Sequence, residues 1–177
     1  DRDWTKNGGK MAFIRSLYDG KSYGYLVIKC FKRSIYTDNP VYFPPKGMQE
    51  DTYMATQLIY YTKSMCKLDK ALYHYRRTNP GSLSRQRRSK KRLDTSINLM
   101  DLYLHFKDNL AESPIQDVYG RILYYAAWNA YYYKLPLLEM YPEIAQDVLK
   151  ISIGRKNMIP IYKQIAARIY VRKNGKR

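Results

Sequence analysis

The stretch Val41-Tyr42-Phe43-Pro44-Pro45-Lys46-Gly47-Met48-Gln49-Glu50-Asp51-Thr52-Tyr53 decides how this chain is read. A short apolar run meets a Pro-Pro-Lys-Gly turn, and two adjacent carboxylates then open a helical pattern. The prolines and the glycine end whatever precedes them, and acidic side chains favour the positive end of a helix dipole. Behind them Met54, Leu58, Tyr61 and Met65 recur at the spacing of one helix face. With about 100° per residue, Glu50 and Asp51 fall about 50° to either side of that stripe's centre. At least one carboxylate therefore faces the protein or a cleft. Two readings follow: a cap that satisfies the dipole, or a carboxylate placed for chemistry.

Upstream, Trp4 and a Lys-Asn-Gly-Gly turn lead into a short helix from Met11 to Tyr18, ended by Asp19-Gly20. Residues 24–34, Gly-Tyr-Leu-Val-Ile-Lys-Cys-Phe-Lys-Arg-Ser, are apolar and bounded by turn residues. Periodicity leaves strand and helix open there. Asp38-Asn39-Pro40 break the run, and residues 41–43 read as a short strand. Downstream of the Glu50 helix, residues 71–77 alternate aromatic and polar side chains and read as a second strand. The turn cluster 78–84 closes it. The basic run 85–92 leads into a helix with Leu93, Ile97, Met100 and Leu104 on one face, and helical patterns follow over 114–134, 136–152 and 157–173. The expectation is an α+β chain tending to mostly α, with a mixed part over 1–84 and a helical subdomain over 85–177.

The 177 residues, 45% of them hydrophobic, suffice for a sizeable core. Thirty-two Lys and Arg against 15 Asp and Glu leave a net charge of +17, which favours acidic partners: phosphates, nucleic acid or an anionic membrane surface. The excess is uneven, with 20 basic and 7 acidic side chains in residues 1–92 against 12 and 8 in the remainder. Cys30 and Cys66 lack the spacing of a zinc site and are too few for a disulfide framework, which points to a reducing compartment. No apolar run approaches the length of a membrane span, and no secretory signal pattern is present. Twenty tyrosines supply rings whose hydroxyls need partners when buried. Those of the cluster 119–133 read as packing between helices. The run 85–92 has three readings: a solvated helix start, an anionic-lipid contact or a nucleic-acid patch. Against nucleic acid, no helix-turn-helix, RNP-like or zinc pattern is visible.

Taken in order, residues 24–34, Phe43, Glu50-Asp51, Tyr73-His74-Tyr75-Arg76 and Ser82-Leu83-Ser84 resemble the C-terminal part of bacterial family 2 glycosyltransferases. In that family a segment of the type W-x-K-L-F-[KR]-[RK] precedes a G-E-D motif, and Y-x-Y-R with S-[IL]-[ST] follows. The resemblance spans residues 20–90. Ile28 stands where the family has Asn before the lysine, and Gln49 stands where it often has glycine before Glu-Asp. What it implies is the acceptor side of a GT-A type fold, in an enzyme moving a sugar from a nucleotide-diphosphate sugar to an acceptor hydroxyl. Asp51 would be the general base and Glu50 would orient it or the acceptor. Lys29, His74, Tyr75 and Arg76 would contact substrate, with Arg76 beside the leaving diphosphate.

The family's nucleotide pocket and Asp-x-Asp metal site belong to a half that this sequence does not match. Asp1-Arg2-Asp3 has the letters but no strand before it, and reads as chance. Magnesium or manganese would thus be held elsewhere in the full-length enzyme, with no metal ligands here, and this portion alone would be inactive. The acceptor implied is a cell-surface or lipid-linked glycan, and the location cytoplasmic, peripheral at the inner face of the membrane. The alternative is a basic helical module that binds nucleic acid or a membrane surface without catalysis.

Overall fold

Five α-helices and one 3₁₀ turn form the regular structure of the described residues: α1 (Gly9–Tyr18), the turn Leu26–Ile28, α2 (Arg33–Thr37), α3 (Glu50–Tyr61), α4 (Arg88–Asn109) and α5 (Ser113–Tyr132). The structure, a computed structural model, describes residues 9–76, 88–109 and 113–132 together with 78, 82, 141, 142 and 147. Apart from 141, 142 and 147, the residues of the helices expected over 136–152 and 157–173 lie outside the described residues, as do 85–87 of the basic run, whereas 88–92 open α4. The described part is mostly helical.

Sequence dictates where these helices stop. Gly20 ends α1 with φ +68°, a left-handed conformation that costs a residue with Cβ but not glycine. The Lys21 amide then reaches the Ser16 carbonyl at 2.9 Å and the Gly20 amide reaches Leu17 at 3.4 Å, the paired bonds of a glycine C-terminal cap. At the C-terminal end of α3, the Lys10 ammonium donates to the Tyr60 carbonyl at 2.6 Å, a cation at the negative end of the dipole.

One apolar core joins α1, α3, α4 and α5. It takes Ile14 and Tyr18 from α1, Tyr53 to Ala55, Leu58 and Ile59 from α3, Met100, Leu102 and Phe106 from α4, and Ile122, Leu123 and Ala126 from α5. Residues before and after position 84 thus share it. Each of the large apolar side chains contributes about 1.5–3 kcal/mol by leaving water. Aromatic contacts extend the core. Tyr119 of α5 packs on Phe106 and Tyr103 of α4 and donates its hydroxyl to the Phe106 carbonyl. Outside the core, Arg121 of α5 pairs with Asp19 at the end of α1.

Neither expected strand forms: the described residues contain no β-strand. At 41–43 the reason is a side chain. Gln57 of α3, fully buried, accepts from the Tyr42 amide at 2.9 Å and donates to the Tyr42 carbonyl at 3.0 Å. A side-chain amide thus supplies the two bonds that a neighbouring strand would have made. The segment 71–76 is irregular and exposed throughout. Its Tyr75 stacks on Tyr25 of another loop and Tyr73 tilts against Tyr75, so the alternation is not one face of a sheet. Residues 24–34, open between strand and helix, hold the 3₁₀ turn and the start of α2.

Candidate active site

The Pro44–Gln49 turn delivers the carboxylates to the start of α3, and a residue distant in sequence holds that turn. Asn98 of α4, 1% exposed, accepts from the Lys46 amide at 3.0 Å and donates to the carbonyls of Lys46 at 2.8 Å and Met48 at 2.6 Å. Three backbone groups of an irregular loop are satisfied by one buried amide. Next to this clamp, Gln49 adopts φ 63°, ψ 19°, the left-handed region that non-glycine residues seldom occupy, and no side chain caps the helix. Glu50 and Asp51 follow in the first turn, both half-buried. Tyr53 fixes that turn to α4 by donating to Asp101 Oδ2 at 2.5 Å. Burial, and then the hydrogen bond and charge of Asp101, hold its phenol far above the ordinary tyrosine pKa, so it stays a donor.

The loop between α1 and α2 lies across this first turn. A Cβ on Gly24 would sit 2.4 Å from Thr52 Oγ1 and 3.1 Å from Thr52 Cα, so only glycine permits the approach. Two residues on, the Leu26 amide donates to Asp51 Oδ1 at 3.2 Å. Among the described residues, Asp51 Oδ2 takes no hydrogen bond. Lys29 closes the loop on itself: its ammonium donates to the carbonyls of Tyr23 at 2.7 Å and Tyr25 at 2.8 Å and lies 5.8 Å from the centre of the Phe13 ring. Burial lowers the Lys29 pKa from its ordinary value, and the charge of Asp51 opposes that shift.

The loop carries rings toward a third segment. Tyr23 and Tyr25 stack with centroids 5.4 Å apart and planes at 7°, Tyr25 and Tyr75 lie 6.5 Å apart at 18°, and Tyr73 is tilted against Tyr75 at 6.5 Å. The structure therefore joins Asp51, Lys29 and Tyr75, three residues singled out from sequence, through the 23–26 loop. Glu50 shares the turn with Asp51. His74 and Arg76 flank Tyr75 and are exposed, and among the described residues no contact ties them to Asp51. Lys29 is committed to backbone carbonyls, so its role here is to staple the loop.

Sequence reasoning missed Asn98, Gln57 and the pair Tyr23 and Tyr25. The signal for the first two was a carboxamide set inside an apolar helical pattern, at positions where burial demands hydrogen-bond partners. For the tyrosines, the signal was their one-residue separation just before the predicted lysine.

No group of three His, Cys, Asp or Glu side chains able to hold a metal ion lies together among the described residues. Nor, among those residues, is any helix long and apolar enough to cross a membrane. Neither protein-family models, nor curated proteins, nor solved structures give a match to the chain.

Proposed function

We propose that the chain forms the acceptor side of an inverting glycosyltransferase of the family 2, GT-A type, with Asp51 as general base. The observation that carries this reading is the first turn of α3. A left-handed residue, Gln49, directly precedes Glu50 and Asp51, at the position where the family often has glycine. Glycine, which the family often has before Glu-Asp, adopts a left-handed conformation without cost, and Gln49 adopts that conformation here. Further support comes from the 24–34 segment, which resembles the family's lysine-containing motif and meets Asp51 through the Leu26 amide.

In this reading Oδ1 is held by Leu26 and Oδ2 receives the proton of an acceptor hydroxyl. The hydroxyl oxygen attacks the anomeric carbon, the bond to the donor's diphosphate breaks, and the diphosphate leaves with the electron pair. Glu50 accepts a hydrogen bond from the acceptor, Tyr75 and His74 line its path, and Arg76 offsets charge on the departing diphosphate. In this reading donor and divalent metal are held by residues outside those described. The acceptor is a glycan or lipid-linked glycan, with an anionic membrane surface as a further partner of the basic chain.

The test is release of nucleoside diphosphate from a panel of nucleotide sugars by the intact protein, with and without Mg²⁺ or Mn²⁺. Donor-specific release that needs an added saccharide acceptor is the expected result. Absence of release with every donor and acceptor pair would overturn the reading.

A further inference from the structure

Two loops bring exposed apolar side chains together. Tyr23 stacks on Tyr25, Tyr25 stacks on Tyr75, and Tyr73 tilts against Tyr75, which makes one aromatic row. Stacking covers the ring faces between neighbours and leaves edges and hydroxyl ends exposed. Aliphatic side chains adjoin the row on both loops: Val27 (48% exposed) and Ile28 (55%) follow Tyr25 in the 3₁₀ turn, and Leu72 (75%) precedes Tyr73. Single exposed apolar residues need no explanation, but a contiguous group drawn from two loops does. The group is held in place, since Lys29 binds the carbonyls of Tyr23 and Tyr25 and Gly24 is pressed against Thr52. Its surroundings carry one sign of charge. Residues 21–37 and 70–76 together hold six Lys and Arg and no Asp or Glu. Of these, Lys32, Arg33, Lys70 and Arg76 are exposed and enter no ion pair among the described residues.

We propose that these two loops dock the protein on an anionic lipid bilayer. Val27, Ile28 and Leu72 enter the boundary between headgroups and acyl chains, the tyrosines lie at headgroup level, and the exposed Lys and Arg meet lipid phosphates. Tyrosine suits that level because one end of its ring is apolar and the other wet. Basic side chains beside it gain from the negative surface potential of anionic lipid. A nucleic acid strand would use the same cations, but it stacks its bases on open ring faces, and here neighbouring tyrosines cover them. Nor does a phosphate strand account for the exposed aliphatic side chains, which gain only by leaving water. The Asp51 carboxylate, which meets this loop at Leu26, is half-buried and holds the Leu26 amide. Docking thus names the surface by which the chain meets a membrane, and it rests on the glycosyl-transfer reading only for orientation: the docked loop sets Asp51 beside the headgroup of a lipid-linked acceptor.

The experiment is co-sedimentation of the full chain with vesicles of phosphatidylcholine alone and of equal parts phosphatidylcholine and phosphatidylglycerol, with oligo(dT) and polyglutamate as soluble polyanions. The mixed vesicles should bind the protein and the neutral ones far less. Arg76→Ala and Lys70→Ala should each weaken binding about fivefold, the factor for one basic residue at an anionic surface. Ile28→Ser combined with Leu72→Ser should weaken it about tenfold. All four positions are exposed, so thermal melting of the variants should match the parent. Leu72→Trp should add fluorescence that brominated acyl chains quench. Four results would overturn the docking surface: no binding to the mixed vesicles, binding indifferent to all of these variants, a Leu72→Trp signal that brominated lipid leaves unchanged, or Arg76-dependent binding of oligo(dT) or polyglutamate without vesicle binding. Variant-sensitive vesicle binding beside a silent transfer assay would instead count against the catalytic reading alone.

Discussion

Asn98→Ala tests most sharply how the site is built, because the residue lies 48 positions beyond Glu50 and touches none of the candidate catalytic groups. Its carboxamide makes three bonds to the Lys46–Met48 backbone. A net contribution of about 1 kcal/mol per hydrogen bond sets an upper figure of about 3 kcal/mol. Lys46 is exposed, so water recovers part of what its backbone loses, and a destabilisation of about 2 kcal/mol is expected. For a chain of this size that lowers the melting temperature by about 4–8 °C. Hydrogen exchange should quicken first at the Lys46 amide and next in the opening turn of α3. Asn98→Asp separates geometry from volume. It keeps an acceptor for the Lys46 amide but sets a carboxylate oxygen against two carbonyl oxygens, so near neutral pH it should lose at least as much as alanine. Acidification should restore part of that loss, since the protonated acid regains one donor. An Asn98→Asp protein within about 0.5 kcal/mol of the parent at neutral pH would refute the clamp.

Two further outcomes follow from the same turn and the same core. Gln49→Gly removes the strain of a left-handed residue with Cβ, and equilibrium unfolding should show a gain of up to about 1 kcal/mol after glycine's extra unfolded-state entropy is counted. A clear loss would mean the turn is not left-handed. Tyr18, which hydrogen-bonds Thr56 at 2.8 Å, and Tyr53 both have pKa values raised above the ordinary one, by burial first. Their protonated state in the fold is therefore favoured fully below about pH 10, and stability should fall as pH rises through that value, because the unfolded chain ionises first. Urea unfolding at about pH 9 and pH 11, with tyrosinate absorbance followed in parallel, should show reduced stability and a late-titrating group of phenols. Full titration of all tyrosines in the still-folded protein would contradict this.

Much of the helical frame was legible. The Pro-Pro-Lys-Gly turn and the paired acids gave the start of α3 at Glu50, Asp19-Gly20 gave the end of α1, the core face of α4 followed from apolar spacing, and α5 was expected as a helix. These signals are local, and local rules suffice for them. The strand readings failed because strands need partners, which no single segment reveals. Tyr42 finds its two bonds in the side chain of Gln57, and Tyr75 turns to Tyr25 while Tyr73 leans on Tyr75. The site divides the same way. Glu50 and Asp51 could be placed at a helix start from the sequence. The Leu26 contact, the Asn98 clamp and the aromatic row span 25 to 52 residues and emerge only once the helices are packed.

The central claim is that Asp51 takes a proton during glycosyl transfer, and turnover of Asp51→Asn at saturating donor and acceptor measures it directly. Asparagine keeps an oxygen to accept the Leu26 amide, so the loop and the melting temperature should be preserved while the base is lost. The account predicts a fall in kcat of about 10²–10⁴-fold with little change in acceptor affinity. An Asp51→Asn protein that turns over at the parent rate would leave Glu50 and Asp51 as helix-terminal charges and contradict the account.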